Sequence, residues 1–195
     1  MARTRDPQAQ RALLSEAVWA TLADLGPGGL TLRAVAERAG CTTGLVMHTF
    51  GDKRALLLHA RDRLHERTGA RTDRLEREAA SPEEALRAVA LGTLAADPEG
   101  LANARVWVGF LAASLSDPDL AAKHALHSGS FRTRLTRLIR AAVTVTEAEA
   151  TARAALLAAT TEGVCVLAAG DPAAWSAELQ HAAVNRALEA ALTDA

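Results

Sequence analysis

The amino-acid sequence predicts an all-α protein on three observations. Apolar residues make up 49% of the chain, and alanine and leucine, which favour helices, supply much of that fraction. Apolar side chains recur at helical spacing, and no sustained alternation of β-branched residues is present. Proline follows serine or aspartate at several positions, a pair that is typical of a helix start. Together these patterns predict about nine helices.

The first helix is predicted at 7–25, because the turn-forming sequence GPGG follows it. Two short helices are predicted at 32–39 and 43–50. Gly40 separates them at a position where a left-handed cap is usual, and either threonine at the start of the second can cap it. This is the layout of a helix-turn-helix, whose second helix enters the DNA major groove.

A long fourth helix is predicted from about residue 52 to about residue 79, with apolar side chains along one side. Five more helical segments follow, and the last two are predicted at 147–169 and 172–192. Their boundaries are read at Ser81-Pro82, Asp97-Pro98, Asp117-Pro118, Val145-Thr146 and Asp171-Pro172.

The helix-turn-helix segment also carries a motif, T-x-x-x-V-A-x-x-A-G-x-T-x-G, followed five residues later by F-G-D-K-x-x-L. This motif closely resembles the N-terminal domain of tetracycline-repressor-type (TetR family) regulators. Met47 stands where the family has a tyrosine. The matching residues are Thr31, Val35, Ala36, Ala39, Gly40, Thr42, Gly44, Phe50, Gly51, Lys53 and Leu56.

The C-terminal part is similar to the betaine-biosynthesis-repressor-like branch of the same family, in the sequences VWVGFLAASLSDPDLAAKH, FRTRLTRLI and TTEGVCVLAAGDP. The resemblance implies a three-helix DNA-binding domain at 1–52 and a helical effector-binding and dimerisation domain at 53–195. It also implies a homodimer formed through the last two helices.

The DNA-contacting surface is predicted at the start of the recognition helix 43–50 and around it. Threonine there can donate to a phosphate or a base, and a lysine at a helix start favours a phosphate. The alternatives are a cap alone for the threonines and a solvated charge for the lysine. Arg3 and Arg5 either reach the DNA or make no contact. The predicted contacts are Thr31, Arg33, Thr42, Thr43, Gly44, Leu45, His48, Thr49 and Lys53.

The resemblance also implies a small-molecule site among the C-terminal helices. Most of its predicted residues are apolar, and a row of apolar side chains at helical spacing is more often plain core than a ligand site. Glu162 either balances a cationic ligand or pairs with an arginine such as Arg105. His124 and His127 share a helix face, but without a third ligand nearby no metal is predicted. The predicted ligand-binding residues are Trp107, Phe110, Leu111, His127, Phe131, Leu135, Glu162 and Cys165.

Other charged residues are predicted to be solvated, among them Arg38, Arg54 and the four arginines of the segment 132–140. The net charge of −1 divides into +4 over residues 1–77 and −5 over the remainder, which suits a DNA-binding head on an acidic body. Two distant cysteines predict neither a disulfide framework nor zinc. No apolar leader or membrane span is recognised, so a cytoplasmic location is expected.

These features predict a homodimeric repressor that leaves a near-palindromic operator when a small molecule binds. The alternative in the same class is a constitutive or activating regulator without a working effector pocket. An enzyme finds little support, because no nucleophile motif, phosphate loop or paired-carboxylate pattern is present. No cofactor is predicted.

Overall fold

The structure of the protein, a computed structural model, describes residues 7–193. Within this range the backbone forms nine α-helices and no strand, so the all-α prediction is confirmed. Arg3 and Arg5 lie outside the described residues. The helices are α1 Pro7–Gly29, α2 Leu32–Arg38, α3 Thr43–Phe50, α4 Lys53–Glu78, α5 Pro82–Leu91, α6 Pro98–Ser114, α7 Pro118–Ala142, α8 Glu147–Gly170 and α9 Ala177–Leu192.

Each helix from α2 to α9 is preceded by an N-cap residue whose side chain accepts a backbone N–H of the first turn. Asp52 Oδ1, for example, accepts the Ala55 N–H at 2.8 Å. A cap of this kind stabilises a helix by about 1 kcal/mol. Because capping is local, the starts predicted for α2 to α8 lie within a residue of those observed.

The start predicted for the last helix, at 172, is wrong, because α9 begins at Ala177. Asp171 Oδ1 accepts the Ala174 N–H at 3.1 Å and holds the intervening segment in a turn. Trp175 then packs against the C-terminal core. This long-range contact keeps the chain out of the helix for five further residues.

Helix α1 is interrupted at Gly26, whose φ of 64° is left-handed, and one more turn continues to Gly29. The helix predicted at 7–25 therefore matches the long segment of α1 that precedes Gly26. The added turn places Pro27 against α6. A Cβ on Gly109 of α6 would lie 3.1 Å from Pro27 Cδ and 3.3 Å from a Leu22 methyl, so α1 and α6 pack closely here.

Two apolar cores organise the helices. The N-terminal core, defined by one cluster of buried side chains, joins α1 to α3 with the first half of α4 and with parts of α6 and α7. The C-terminal core is formed mainly by α5, α7, α8 and α9. The N-terminal core therefore includes residues of α4, α6 and α7 that lie C-terminal to the proposed boundary at 52/53, and this boundary stays a prediction. The N-terminal core includes Leu22, Val46, Leu64, Phe110 and Leu120.

Helix α8 is long and apolar enough to cross a membrane by length and composition alone, although no such stretch is expected from the sequence. It packs against α6, α7 and α9, and Leu157 and Val164 are part of the C-terminal core. Its apolar composition therefore serves the protein interior. Only 39% of its most apolar window is buried, however, so part of its apolar surface faces outward.

Candidate DNA-binding surface and internal cavity

Two left-handed glycines set the path of the chain around α3. Gly40 has a φ of 62° after α2, and the following Cys41 N–H donates to Ala36 O at 2.9 Å. Gly51 has a φ of 89° between α3 and α4. Glycine adopts such angles without the steric cost that other residues incur. The turn predicted at Gly40 is therefore present.

The recognition helix α3 has distinct inner and outer faces. Val46 is fully buried in the N-terminal core. Thr43, Gly44 and His48 are exposed on the other side, together with Met47, which is 50% exposed. The outer face therefore offers small and polar groups over its first turn and a longer apolar side chain over the second.

The hydroxyl oxygens of Thr31 and Thr42 cap α2 and α3 by accepting backbone N–H groups at 3.0 and 3.3 Å. A threonine hydroxyl has one proton and two lone pairs, and the cap uses one lone pair. The proton therefore stays available for a phosphate or a base. Capping and DNA contact, which are alternatives in the sequence analysis, are compatible in this geometry.

Thr49 and Leu45, two of the predicted DNA contacts, are less accessible. Thr49 Oγ1 donates its proton to Leu45 O at 2.9 Å, and the Leu45 side chain packs on the N-terminal core. Gly44 differs from both, because a Cβ added there would meet only Thr42 Oγ1, at 3.9 Å. The space outside Gly44 is therefore open to an approaching surface.

Arg33 and Lys53 are exposed in the first turns of α2 and α4. Within residues 7–193 neither forms an ion pair. The start of a helix also presents free N–H groups and the positive end of its dipole. Both cations are thus placed where an anion such as a phosphate is favoured.

Arg38 and Arg54 are exposed, as predicted for solvated charges, and both also form surface ion pairs. Arg38 pairs with Asp24 at 2.7 Å. Arg54 Nε lies 2.9 Å from an oxygen of Asp117, the cap of α7, and the same guanidinium also pairs with Asp119. Arg54 therefore connects the start of α4, beside the exposed Lys53, with the start of α7.

A cavity of about 180 Å³ lies between α4, α6, α7 and α8. Five of the predicted ligand-binding residues line it, which brings side chains from three helices together. Whether they contact a ligand stays a prediction. The five are Trp107, His127, Phe131, Glu162 and Cys165.

The other three predicted ligand-binding residues do not line this cavity. Phe110 is fully buried in the N-terminal core, and Leu135 is fully buried in the C-terminal core. Leu111 is partly buried outside the lining. Helical spacing marks the inward face of a helix, but the cavity occupies only part of that face on α6 and α7.

Sequence reasoning missed the contribution of α4, which supplies six lining residues. A signal was present, because Arg61 lies in the same apolar row of α4 as Leu57 and Leu64, at i−4 and i+3. A charged residue in such a row needs a local partner or a ligand. The α4 residues are Arg61, Leu64, His65, Thr68, Gly69 and Thr72.

Arg61 is only 5% exposed, and its Nε has no hydrogen-bond partner. Within residues 7–193 its guanidinium forms no ion pair, although it lies 5.9 Å from the centre of the Phe110 ring. Burial lowers the pKa of Arg61 to about 10, against the opposing charges of Asp62 and Glu162. The group is therefore a buried cation at neutral pH.

Glu162 is the carboxylate of the cavity. Burial raises its pKa, while the positive charges of Arg132 and Arg61 act in the opposite direction. The predicted pairing with Arg105 is wrong, because Arg105 is exposed and Glu162 has no salt bridge with any residue of the described range. Arg61 and Glu162 thus remain without a direct ionic partner.

His65 of α4 stacks on His127 of α7, with ring centres 3.9 Å apart. Burial lowers the pKa of both rings, and the Arg61 charge lowers it further. His127 Nε2 lies 3.3 Å from Asp62 Oδ1. His124 instead lies beside Ser128, and in the described part of the chain no three His, Cys, Asp or Glu side chains are grouped for a metal.

Cys165 is a buried free thiol that donates to Thr93 O at 3.4 Å. Burial raises its pKa to about 12, so the thiolate is not formed at neutral pH. Cys41 is also a free thiol. Cys165 therefore contributes a neutral wall to the cavity.

Ion pairs connect α4 and α7 on both sides of the stacked histidines. Asp62 Oδ1 lies 2.7 Å from Lys123 Nζ, and Glu76 lies 3.1 Å from Arg134 and 2.6 Å from Arg137. Of the arginines of segment 132–140, Arg132, Arg137 and Arg140 are exposed, as predicted, whereas Arg134 is partly buried against α4. Long side chains hold the two helices together across the cavity.

Comparisons with known proteins agree over both halves of the chain. A family model described as bacterial regulatory proteins of the tetR family matches residues 14–60. A second, described as the C-terminal part of BetI-type transcriptional repressors, matches residues 82–193. The HTH-type transcriptional regulator BetI of Paraburkholderia xenovorans is 35% identical over 112 residues, and the match spans 57% of each chain.

Solved structures share the whole fold. A transcriptional regulator from Rhodococcus is 30% identical, with a TM-score of 0.85 over 93% of this chain and 95% of that one. A transcriptional regulator from Saccharomonospora viridis, solved in complex with choline, has a TM-score of 0.83 at 18% identity, over 94% and 97% of the two chains. The helix-turn-helix motif, the all-α fold of residues 7–193 and both family models thus agree, and the chain belongs to the TetR family of regulators, with a BetI-type C-terminal half.

Proposed function

We propose that this protein is a homodimeric DNA-binding transcriptional repressor that a small molecule releases from a near-palindromic operator. The observation that carries the proposal is the double role of α4. Its first turn presents Lys53 beside the recognition helix, and Arg61 and His65 on the same helix line the cavity. At 1.5 Å per residue, Lys53 and Arg61 are about 12 Å apart along the axis.

The DNA-facing surface consists of the outer face of α3 with the first turns of α2 and α4. Free hydroxyl protons, open space at Gly44 and two unpaired cations together suit phosphate and base contacts. Thr42, Thr43 and Gly44 are the contacts best supported. Lys53 and Arg33 are proposed to bind phosphates of the DNA backbone and so to position the protein on the duplex.

The homodimer is proposed through α8 and α9, as the last two helices. Leu156, Val166 and Leu167 of α8 and Leu179 of α9 are exposed apolar side chains within these helices. Alanines at exposed positions of both helices permit close approach of a second copy. A two-fold axis at this surface presents two recognition helices to successive major grooves.

Release from DNA is proposed to follow from movement of α4 relative to α7. A ligand can shift the equilibrium only if it prefers one arrangement of these helices. The ion pairs of Arg54, Asp62 and Glu76 with α7 provide discrete contacts that such a movement alters. Coupling of about 1–3 kcal/mol is typical of such systems.

The regulator is proposed to act in the cytoplasm, where its DNA is found. Its relatives are transcriptional regulators and not enzymes, and turnover of an effector is not expected. A distant structural neighbour binds choline, and the aromatic walls Trp107 and Phe131 suit a cationic nitrogen here as well.

The test is selection of bound duplexes from a random DNA pool at stated, moderate salt. Recovery of an inverted repeat with half-sites about one helical turn apart is expected. The Lys53→Ala variant should bind all sequences more weakly and reduce the salt slope by about 0.9 per bound subunit, because a phosphate contact carries no sequence information. Arg74→Ala, an exposed change near the other end of α4, is the control.

Failure to recover any motif, or an unchanged salt slope for Lys53→Ala, would contradict the DNA-binding surface. Once an operator is known, a transcription assay with and without a bound ligand separates a repressor from a constitutive or activating regulator. Operator binding that no cavity ligand changes would favour that alternative.

A further inference from the structure

We propose that the cavity binds a small zwitterion, whose carboxylate pairs with Arg61 and whose cationic nitrogen lies near Glu162. This inference rests on the proposed function only in treating the cavity as an effector site. The ligand class comes from the charges left without ionic partners in the cavity lining.

The environment of Arg61 favours an anionic group of the ligand. Its side chain is almost completely buried, lines the cavity, and has neither an ion pair nor a hydrogen bond within residues 7–193. An unpaired buried charge is strongly unfavourable. A guanidinium is planar and donates two parallel hydrogen bonds, a geometry that matches a carboxylate.

Glu162 is only partly buried, but it also lines the cavity and has no salt bridge within residues 7–193, so a cationic group is favoured beside it. The other charged groups that line the cavity are occupied or neutral. Arg134 is paired with Asp73 and Glu76, and burial lowers the pKa of the stacked histidines. One positive and one negative group are left, so a ligand with a single charge would leave the other group unpaired.

The size of the cavity limits the ligand. A cavity of about 150 Å³ accommodates benzene, so about 180 Å³ suits a molecule of roughly eight non-hydrogen atoms. Trp107 and Phe131 provide aromatic faces for a cationic nitrogen. The buried Asn103 Oδ1 in the lining also lacks a partner, and it could accept an N–H from an ammonium group.

The experiment is calorimetric titration of the full chain, without DNA, with matched compounds of this size. Three isomeric zwitterions, L-valine, 5-aminopentanoate and trimethylglycine, cover different charge separations and both primary and quaternary nitrogen. Pentanoate, pentylammonium and choline carry only one of the two charges. At least one zwitterion is expected to bind 10-fold or more tightly than its single-charge counterparts.

Tighter binding of the primary amines than of trimethylglycine would indicate that Asn103 Oδ1 accepts an N–H of the ligand. Tighter binding of trimethylglycine would indicate that its quaternary nitrogen lies against the aromatic walls. Equal binding of a zwitterion and its single-charge counterpart, or no binding of any zwitterion, overturns the proposal. Because no DNA is present, this result is independent of operator recognition.

Two variants separate ligand binding from a structural role. Arg61→Met keeps an unbranched apolar stem and removes the guanidinium charge, so zwitterion binding should weaken about 10- to 100-fold. The melting temperature without ligand should rise by about 2–4 °C, because an unpaired charge leaves the interior. Glu162→Gln should make binding insensitive to the cationic group. Arg105→Gln, exposed on α6, is the control. A lower melting temperature and unchanged affinity for Arg61→Met would contradict the proposal.

Discussion

Thr42 shows how a single side chain can serve both the fold and a binding partner. Its oxygen accepts the Leu45 N–H, which fixes the start of the recognition helix, while its proton remains free. Stability and DNA affinity can therefore be separated by choosing a replacement that retains the acceptor and loses the donor.

Thr42→Asp is expected to leave the melting temperature nearly unchanged, because aspartate is a good N-cap. Operator affinity should fall by at least about 10-fold, since a carboxylate cannot donate and is repelled by phosphate. Thermal unfolding and gel-shift titration check the two effects. Thr42→Ser should retain both properties. A loss of affinity for Asp and Ser alike would assign the contact to the threonine methyl group.

Gly109 determines how closely helices α1 and α6 approach. The close contacts with Pro27 and Leu22 lie where the helix-turn-helix packs on the C-terminal domain. The contact is a packing constraint between elements, and no local sequence pattern reveals it.

Gly109→Leu is therefore expected to lower the free energy of unfolding by about 1–3 kcal/mol through overpacking. Urea unfolding measures the change. Gly129→Ala in α7 is the control, because an added Cβ there meets nothing within 4 Å. It should stabilise the protein by up to about 1 kcal/mol. Equal effects of the two changes would show that α1 and α6 have room to separate.

The contact between α4 and α7 should also make stability depend on pH. Burial lowers the pKa of His65 and His127 below the ordinary value of 6.5. The unfolded chain therefore binds more protons in this range, and the free energy of unfolding decreases as the pH falls below about 6.5. Although burial raises the pKa of Asp62, its bonds to Lys123 and His127 outweigh this effect and lower it below 3.8, so its contribution is lost only at more acidic pH.

Thermal unfolding between pH 7.5 and 5.5 is expected to show a falling melting temperature. The double variant His65→Gln, His127→Gln should reduce this dependence. His181→Gln, an exposed change on α9, should not. If the melting temperature falls equally with pH in the wild type, the double variant and His181→Gln, other titratable groups dominate the pH dependence of stability.

At the scale of the whole molecule, the outward apolar surface of α8 predicts the assembly. Leu156 and Leu167 are 56% and 48% exposed, so a charge at either position should not disturb the monomer fold. The double change Leu156→Glu, Leu167→Glu should convert the dimer to a monomer and greatly weaken operator binding.

Light scattering after size-exclusion chromatography measures the mass of each variant. Leu115→Glu serves as the control, because Leu115 is 84% exposed at the end of α6 and lies outside α8 and α9. A dimer that persists in the double variant would place the interface elsewhere. A monomer in the wild-type protein would remove the two-fold operator model.

The amino-acid sequence by itself determined the helical class, most helix starts and the helix-turn-helix. These features depend on caps, glycines and apolar spacing, which act between residues within about four positions of one another. Apolar spacing together with the family resemblance indicated five residues that line the cavity, but could not separate them from Phe110 and Leu135, which face the same interior. Only the tertiary structure decided which inward residues border a space and which fill a core. It also placed Arg61 of α4 and Glu162 of α8 in the lining of one cavity, because the packing of distant helices determines which charged side chains border the same space.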